Sequence, residues 1–253
     1  MDITSKLALL DRLYKLFDDY DLEETFVCKR QCATCCTCNM TLTTLEGYKI
    51  ISDLDARLKS TLMQQVSEAV EQRRFKPQIT INRMARRCMT GQEIPEEILD
   101  PAWGTCPLLS QKECPIYPLR PFGCRCMMSK TICSETGYAD LDPFTLTVAN
   151  LFNQCIEHLD QDGMTGNLID VLLFLDDKNN LVTYQLDKME LTAKELIPNS
   201  PIPVLMIPPE HRGQIEPLLQ LSLIHISEPT RLVHSSRMPS SACKWGGGGG
   251  GGG

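Results

Sequence analysis

The chain has 253 residues, a formal charge of −7 and 13 cysteines. An acidic balance argues against nucleic-acid binding, which depends on neutralising phosphates, and no stretch approaches the ~20 apolar residues of a membrane span. Met1-Asp2-Ile3-Thr4-Ser5-Lys6 lacks the basic-then-apolar pattern of a secretory signal, so a reducing cytoplasm is expected, where clustered cysteines bind metal more often than they pair.

In chain order, Ile3, Leu7, Leu10, Leu13, Leu16/Phe17 and Tyr20 recur at three- and four-residue steps and predict an amphipathic helix, with Thr4 or Ser5 near its start. Residues 25–41 carry cysteines and little apolar pattern. Thr43-Thr-Leu-Glu46 reads as a capping box. It is expected to open one long helix whose stripe runs from Leu45 to Val70 and ends near Arg73–Lys76, before Pro77. Residues 78–90 suit a further helix. Arg73, Arg74, Lys76, Arg83, Arg86 and Arg87 are expected to form a solvated basic face, with a docking surface for an acidic partner or cofactor as the alternative.

Residues 91–130, rich in Pro, Gly and Cys, read as irregular. Asp142-Pro143 starts a helix through Leu159, and Leu168–Leu175 is a short helix or a strand. Asp176–Asn180 reads as a turn, Leu181–Leu186 as extended, and the proline-rich stretch from Pro198 to Pro209 as loop. Leu221-Ser-Leu-Ile-His-Ile-Ser-Glu-Pro-Thr-Arg231 resembles a translated sequencing adapter and Gly246–Gly253 a poly-G read, so residues 221–253 are set aside as a probable artefact by this reading. Lys+Arg then falls from 25 to 22 and Asp+Glu from 32 to 31, a formal charge of −9. The expected division is an N-terminal helix (1–24), a cysteine-cluster metal-binding domain (25–165) and a C-terminal appendage (166–220). The expected fold class is mainly α, a helical domain with a cysteine-rich irregular metal-binding centre.

The chemistry lies in two cysteine sets. The first is Cys28-x3-Cys32-x2-Cys35-Cys36-x-Cys38; the second comprises Cys106, Cys114, Cys124 and Cys126. Thiolates at this density suit a soft or borderline metal. On a helix Cys28, Cys32 and Cys35 would share one face; in a loop the same spacing wraps one centre. Adjacent side chains diverge on helix and strand alike, so Cys35 and Cys36 are not expected to bind one ion together: Cys36 serves a second centre or stands behind the ligands. Pro107 and Pro115 stiffen the chain beside ligands. Lys29, Arg30, Arg120 and Arg125 can offset thiolate charge and donate hydrogen bonds to sulfur. The proposed metal ligands are Cys28, Cys32, Cys35, Cys36, Cys106, Cys114, Cys124 and Cys126. Cys38 and Cys133 stay unassigned; Cys88 and Cys155 read as structural thiols, and His158 and His211 as surface or satisfied histidines. The bound species is zinc or iron, with an iron–sulfur cluster among the possibilities. Zinc knuckles pair two Cys-x2-Cys units, and only Cys32/Cys35 has that spacing.

Cys28-x3-Cys32-x2-Cys35-Cys36 with Leu42-Thr43-x2-Glu46, followed by Cys106-Pro107-x-Leu109 and Cys114-x-Ile116-Tyr117-x2-Arg120-Pro121-x2-Cys124-Arg125, resembles the CxxxCxxCC cysteine-cluster proteins, the YkgJ-like zinc- or iron-chelating domain. The resemblance spans roughly Cys28 to Cys126 and implies a metal-chelating domain. The Cys-x3-Cys-x2-Cys spacing is also that of radical S-adenosylmethionine enzymes, and flagellin lysine methylases resemble the same family. Such a radical enzyme needs a βα series forming a barrel, which the sequence after Cys36 does not supply. A zinc-stapled interaction module is the remaining alternative.

Overall fold

A computed structural model describes residues 1–20, 25–186 and 193–226, with side chains described as far as residue 220. The fold is mainly α. Helix α1 (Ile3–Asp19) is capped by Asp2, whose carboxylate accepts the Ser5 N–H at 3.0 Å, so the cap precedes both hydroxyls at Thr4 and Ser5. Strand β1 (Thr41–Thr43) runs directly into α2 (Thr44–Asp53), where Thr43 and Glu46 form the expected capping box.

The single long helix expected from residue 43 is instead two. Helix α2 stops at Leu54, and Asp55 caps α3 (Ala56–Glu68) by accepting the Arg57 and Leu58 N–H groups, both at 2.9 Å. The apolar stripe runs through the break because both helices bury it against the same core, so periodicity alone hides the bend. Helix α4 (Ile81–Thr90) starts at Thr80 and ends at Gly91, whose φ of 65° is the left-handed conformation that glycine adopts freely.

After short α5 (Phe122–Arg125) and α6 (Cys133–Thr136), Asp142 caps α7 (Pro143–Leu159). Strand β2 (Met164–Asn167) and α8 (Leu168–Asp176) follow, so the helical option for Leu168–Leu175 is the one observed. The expected turn at Asp176–Asn180 and extended run at Leu181–Leu186 are replaced by α9 (Lys178–Gln185). Asp177 accepts the Asn179 and Asn180 N–H groups at 2.9 and 3.0 Å, turning a loop-like composition into a helix start. Strand β3 (Ile197–Pro198) and α10 (Arg212–Ile226), which crosses the boundary drawn at residue 220, complete the order. Residues 227–253, most of the adapter-like tail, lie outside the described residues.

The strands form one antiparallel sheet in the order β1-β2-β3, with Leu42 opposite Gly166 and Thr165 opposite Ile197. Among the described residues no βα barrel series exists. Among the described residues no helix is long and apolar enough to cross a membrane. The boundary drawn at 165/166 falls inside β2, and α8 packs on α2 and α3.

Two apolar clusters flank α2. Ile50, Ile51, Leu62, Val66, Val171, Leu172 and Leu175 belong to one. Residue 47 is glycine where α2 meets α8: a β-carbon there would stand 2.6 Å from Val171 and 2.9 Å from Leu175. The other gathers α1, α7, α10 and Leu45 around Phe17, Phe122 and Phe152, whose ring centroids lie 4.7–5.6 Å apart. Asp160, fully buried, ties the elements together. Its carboxylate accepts from the Thr44 hydroxyl (2.7 Å), the Tyr184 hydroxyl (2.7 Å), the Leu45 N–H (3.0 Å) and the Asn199 amide (3.1 Å).

The basic residues do not make a single solvated face. Arg74 forms a two-pronged pair with Asp170 at 2.6 and 3.1 Å, both side chains about 5% exposed. Arg73 stacks on Trp103 at 4.4 Å, Arg83 donates to Ser200, and Lys76 pairs with Glu195. Long cationic side chains reach back onto their own fold wherever a carboxylate or ring is in range, which a linear reading of charge cannot see.

Candidate metal centre

The first cysteine loop contains no helix, so the loop alternative for Cys28, Cys32 and Cys35 is the one observed. The Cys32 N–H donates to the Lys29 carbonyl at 3.0 Å, closing a turn in which Gln31 takes a positive φ of 68°. That tight reversal lets residues four apart return to the same side without a helix. A second turn follows, with the Cys36 N–H on the Ala33 carbonyl at 3.0 Å. The backbone here is neither helix nor strand. The Cys35 thiol donates to Cys36 sulfur, which raises Cys35 and lowers Cys36 from the ordinary thiol range.

The second loop is pinned by apolar residues set between its cysteines. Leu108 follows Cys106, Ile116 follows Cys114 and Phe122 precedes Cys124; they are 1%, 2% and 0% exposed. Leu108 and Ile116 enter the α2–α3–α8 cluster and Phe122 the other. Each such burial contributes ~1.5–3 kcal/mol, so sulfur positions in this loop follow from oil, not from sulfur. Between Cys106 and Cys114 the chain reverses at Gln111 and Lys112, both with positive φ, closed by paired Ser110–Glu113 backbone bonds of 2.9 and 2.7 Å.

Backbone contacts join the loops. Thr37 and Thr105 form an antiparallel bridge, the Cys106 N–H donates to the Cys36 carbonyl at 2.9 Å, and the Cys38 N–H to the Gly104 carbonyl at 3.0 Å. Glu46 locks the far end. Its carboxylate accepts the Phe122 N–H at 2.7 Å and the Tyr14 hydroxyl at 2.8 Å while completing the Thr43 capping box, so the start of α5 hangs from α2. Residue 123 is glycine because a β-carbon there would stand 2.7 Å from Met40 sulfur and 3.3 Å from the Thr41 carbonyl oxygen.

Cys36, Cys106, Cys114 and Cys124 therefore share one neighbourhood, with charge on the other three raising Cys36 against its bond from Cys35. Burial pushes Cys106 up to about 11 and raises Cys114 and Cys124, while Arg120 pulls the last two down. Arg120 itself is held flat on Tyr117, 3.6 Å from the ring centroid, with Arg30 at 5.3 Å from the same ring. Arg125 is engaged elsewhere. It donates to the Arg120 and Pro118 carbonyls, pairs with Asp18 at 3.0 Å and lies over Tyr14, tying the loop to α1.

Cys28, Cys32 and Cys35 are exposed. Cys126 packs against the aromatic cluster, donates to the Gly123 carbonyl at 3.4 Å and is pushed by burial up to about 12, though Cys35 still acts on it. Cys38 is buried, its thiol on the Arg73 carbonyl at 3.3 Å, and Cys155 lies in the apolar face of α7. His158 accepts the Ile202 N–H and His211 bonds Thr147, so both imidazoles are engaged on α7 and the proline-rich segment.

Among the described residues, no three His, Cys, Asp or Glu side chains already stand in an arrangement that holds an ion. The donors are thus of the right kind and in one neighbourhood, but not closed around a point. A separate open depression of about 620 Å³ is lined by Arg74, Asp170, Lys76 and Glu195, charges already paired with one another. No family model, curated protein or solved structure matches the chain.

Proposed function

We propose that the protein chelates zinc or iron, an iron–sulfur cluster included, through the thiolates of Cys36, Cys106, Cys114 and Cys124. The observation that carries the reading is that two loops about 70 residues apart in sequence are hydrogen-bonded at Cys36 and Cys106, with Cys114 and Cys124 brought alongside by buried neighbours. Sulfur donors select zinc or iron over hard cations. Ligation removes the thiol protons, and Arg120 offsets part of the charge that results. The CxxxCxxCC resemblance supports the same assignment.

The test is anaerobic elemental analysis with a visible spectrum on the full chain. Stoichiometric zinc in colourless protein, or iron with broad visible absorption, is expected, and Cys106→Ser and Cys124→Ser should each lower the metal content. A wild-type protein that takes up no zinc or iron after reconstitution would refute it.

A further inference from the structure

A basic surface borders the exposed edge of the first cysteine loop. The Gln31 side-chain amide donates to the Glu113 carboxylate at 2.9 Å, holding the turn that carries Lys29 and Arg30 against the reversal that carries Lys112. The Arg30 guanidinium lies 5.3 Å from the centre of the Tyr117 ring, and Arg120 lies 3.6 Å from the same centre. These contacts join Lys29, Arg30, Lys112 and Arg120 into one surface. The first three are exposed and Arg120 is half-buried. Lys15, Lys49, Arg74, Lys76 and Arg125 pair with carboxylates, whereas among the described residues these four cations form no ion pair. Glu113, set among them, is engaged by Gln31, and Asp18 at the border is engaged by Arg125. On a chain of formal charge −7, four cations around Glu113 reverse the local sign. Exposed Cys32, whose N–H donates to the Lys29 carbonyl, lies within this surface.

We propose that this surface docks an acidic protein partner, through a segment rich in Asp and Glu, beside the exposed edge of the first cysteine loop. The inference goes beyond metal chelation and does not rest on it. Opposite charge steers such an encounter and sets its orientation, and no internal ion pair of these four cations has to break for it. The cations are spread over two loops, which suits a row of carboxylates and not a single small anion. Single-stranded nucleic acid is held on open aromatic rings, and Tyr117, the ring here, already carries two guanidinium groups. A membrane surface is met by apolar side chains beside the basic ones. Residues 28–36 and 110–120 expose no large hydrophobic side chain.

The test follows the fluorescence anisotropy of a fluorescein-labelled octaglutamate peptide with reduced full-length protein, at low and at physiological ionic strength. Wild type is compared with Lys29→Glu/Arg30→Glu, with Lys112→Glu, and with Arg57→Glu/Arg86→Glu, a control pair of exposed cations on α3 and α4. Binding to wild type that weakens with salt is expected. Lys29→Glu/Arg30→Glu should lower the affinity about tenfold, Lys112→Glu should lower it less, and the control pair should leave it unchanged, all with wild-type circular dichroism. No binding to wild type at low ionic strength, or an equal loss in the control pair, overturns the proposal. So does tighter binding of oligouridylate or of phosphatidylserine vesicles that is lost in Lys29→Glu/Arg30→Glu, since the surface would then belong to a nucleic acid or a membrane. Metal content measured on the same wild-type sample judges the chelation reading separately: protein that binds the peptide but holds no zinc or iron keeps this proposal and counts against the other.

Discussion

Glu46 makes the sharpest test of how the scaffold holds the second cysteine loop. Its side chain is 4% exposed and accepts four hydrogen bonds: Phe122 N–H and Tyr14 hydroxyl on one oxygen, Thr43 N–H and Thr43 hydroxyl on the other. Glu46→Gln keeps shape and volume but offers only one acceptor oxygen. Hydroxyls can rotate to accept from the new amide; backbone N–H groups cannot. In either amide orientation one buried N–H, of Phe122 or Thr43, faces another donor. That leaves a penalty of ~1–3 kcal/mol. Glu46→Ala orphans both N–H groups and the Tyr14 hydroxyl, for a loss on the order of 4 kcal/mol or more. Tyr14→Phe removes one donor and leaves Glu46 otherwise satisfied, at ~1 kcal/mol. Urea unfolding with linear extrapolation resolves these steps. The ranking Ala, then Gln, then Phe is expected. A Glu46→Gln protein within ~0.5 kcal/mol of wild type would show that the carboxylate does not carry the start of α5.

Burial pushes Asp160 up to about 7 from 3.8, so the folded state holds its proton more tightly than the unfolded chain. The stability it contributes is full below about pH 4 and is lost as pH rises through about 7, a change of ~4 kcal/mol. Glu157, also raised by burial, adds in the same direction. Urea midpoints at pH 5 and pH 8 should therefore differ more in wild type than in Asp160→Asn; equal differences would contradict this. Gly123→Ala should cost ~1–3 kcal/mol and weaken zinc binding at the proposed ligand thiols, because the Thr41 carbonyl cannot move aside as the Met40 side chain can. Competition with a chromophoric chelator reads the affinity, and an unchanged affinity would mean that α5 is free to shift. Cys155→Ala should leave zinc content unchanged and lower stability through packing alone, since Cys155 lies in the aromatic cluster; a variant that loses zinc would assign this thiol wrongly.

How much of this was visible in the sequence depends on the range of the interaction that decides each feature. The capping box at Thr43 and Glu46 is local, and it was legible. The second task of the same Glu46, holding Phe122 76 residues away, left no local signal. Asp55 and Asp177 were legible in principle as caps, but the apolar stripe across one and the polar run after the other outweighed them. The thiols were legible as a group because of density and spacing. Their partition was not. Cys126 turns toward the aromatic cluster because α5 has one face on it. The spacing of Leu108, Ile116 and Phe122 between cysteines was the missed clue: an irregular loop with three buried apolar residues is anchored, and its cysteines are placed by those anchors.

That anchoring decides what removing metal should do. A small metal domain without a core of its own unfolds when stripped. Here the buried members of the two apolar clusters include none of the four proposed ligand thiols, although Cys106 and Cys114 pack against one of them, and the loops join through backbone bonds and buried side chains. Metal should then act by mass action on a fold that already exists: at a free ion concentration 100-fold above Kd it adds ~2.7 kcal/mol per site. For a chain of this size that corresponds to a rise of roughly 5–10 °C in Tm. Chelator-treated protein is accordingly expected to keep its helical circular dichroism and a cooperative transition, with Tm lower by that amount and restored by Zn²⁺. Loss of the helical signal on stripping would mean that the thiols, and not Leu108, Ile116 and Phe122, hold the second loop in place.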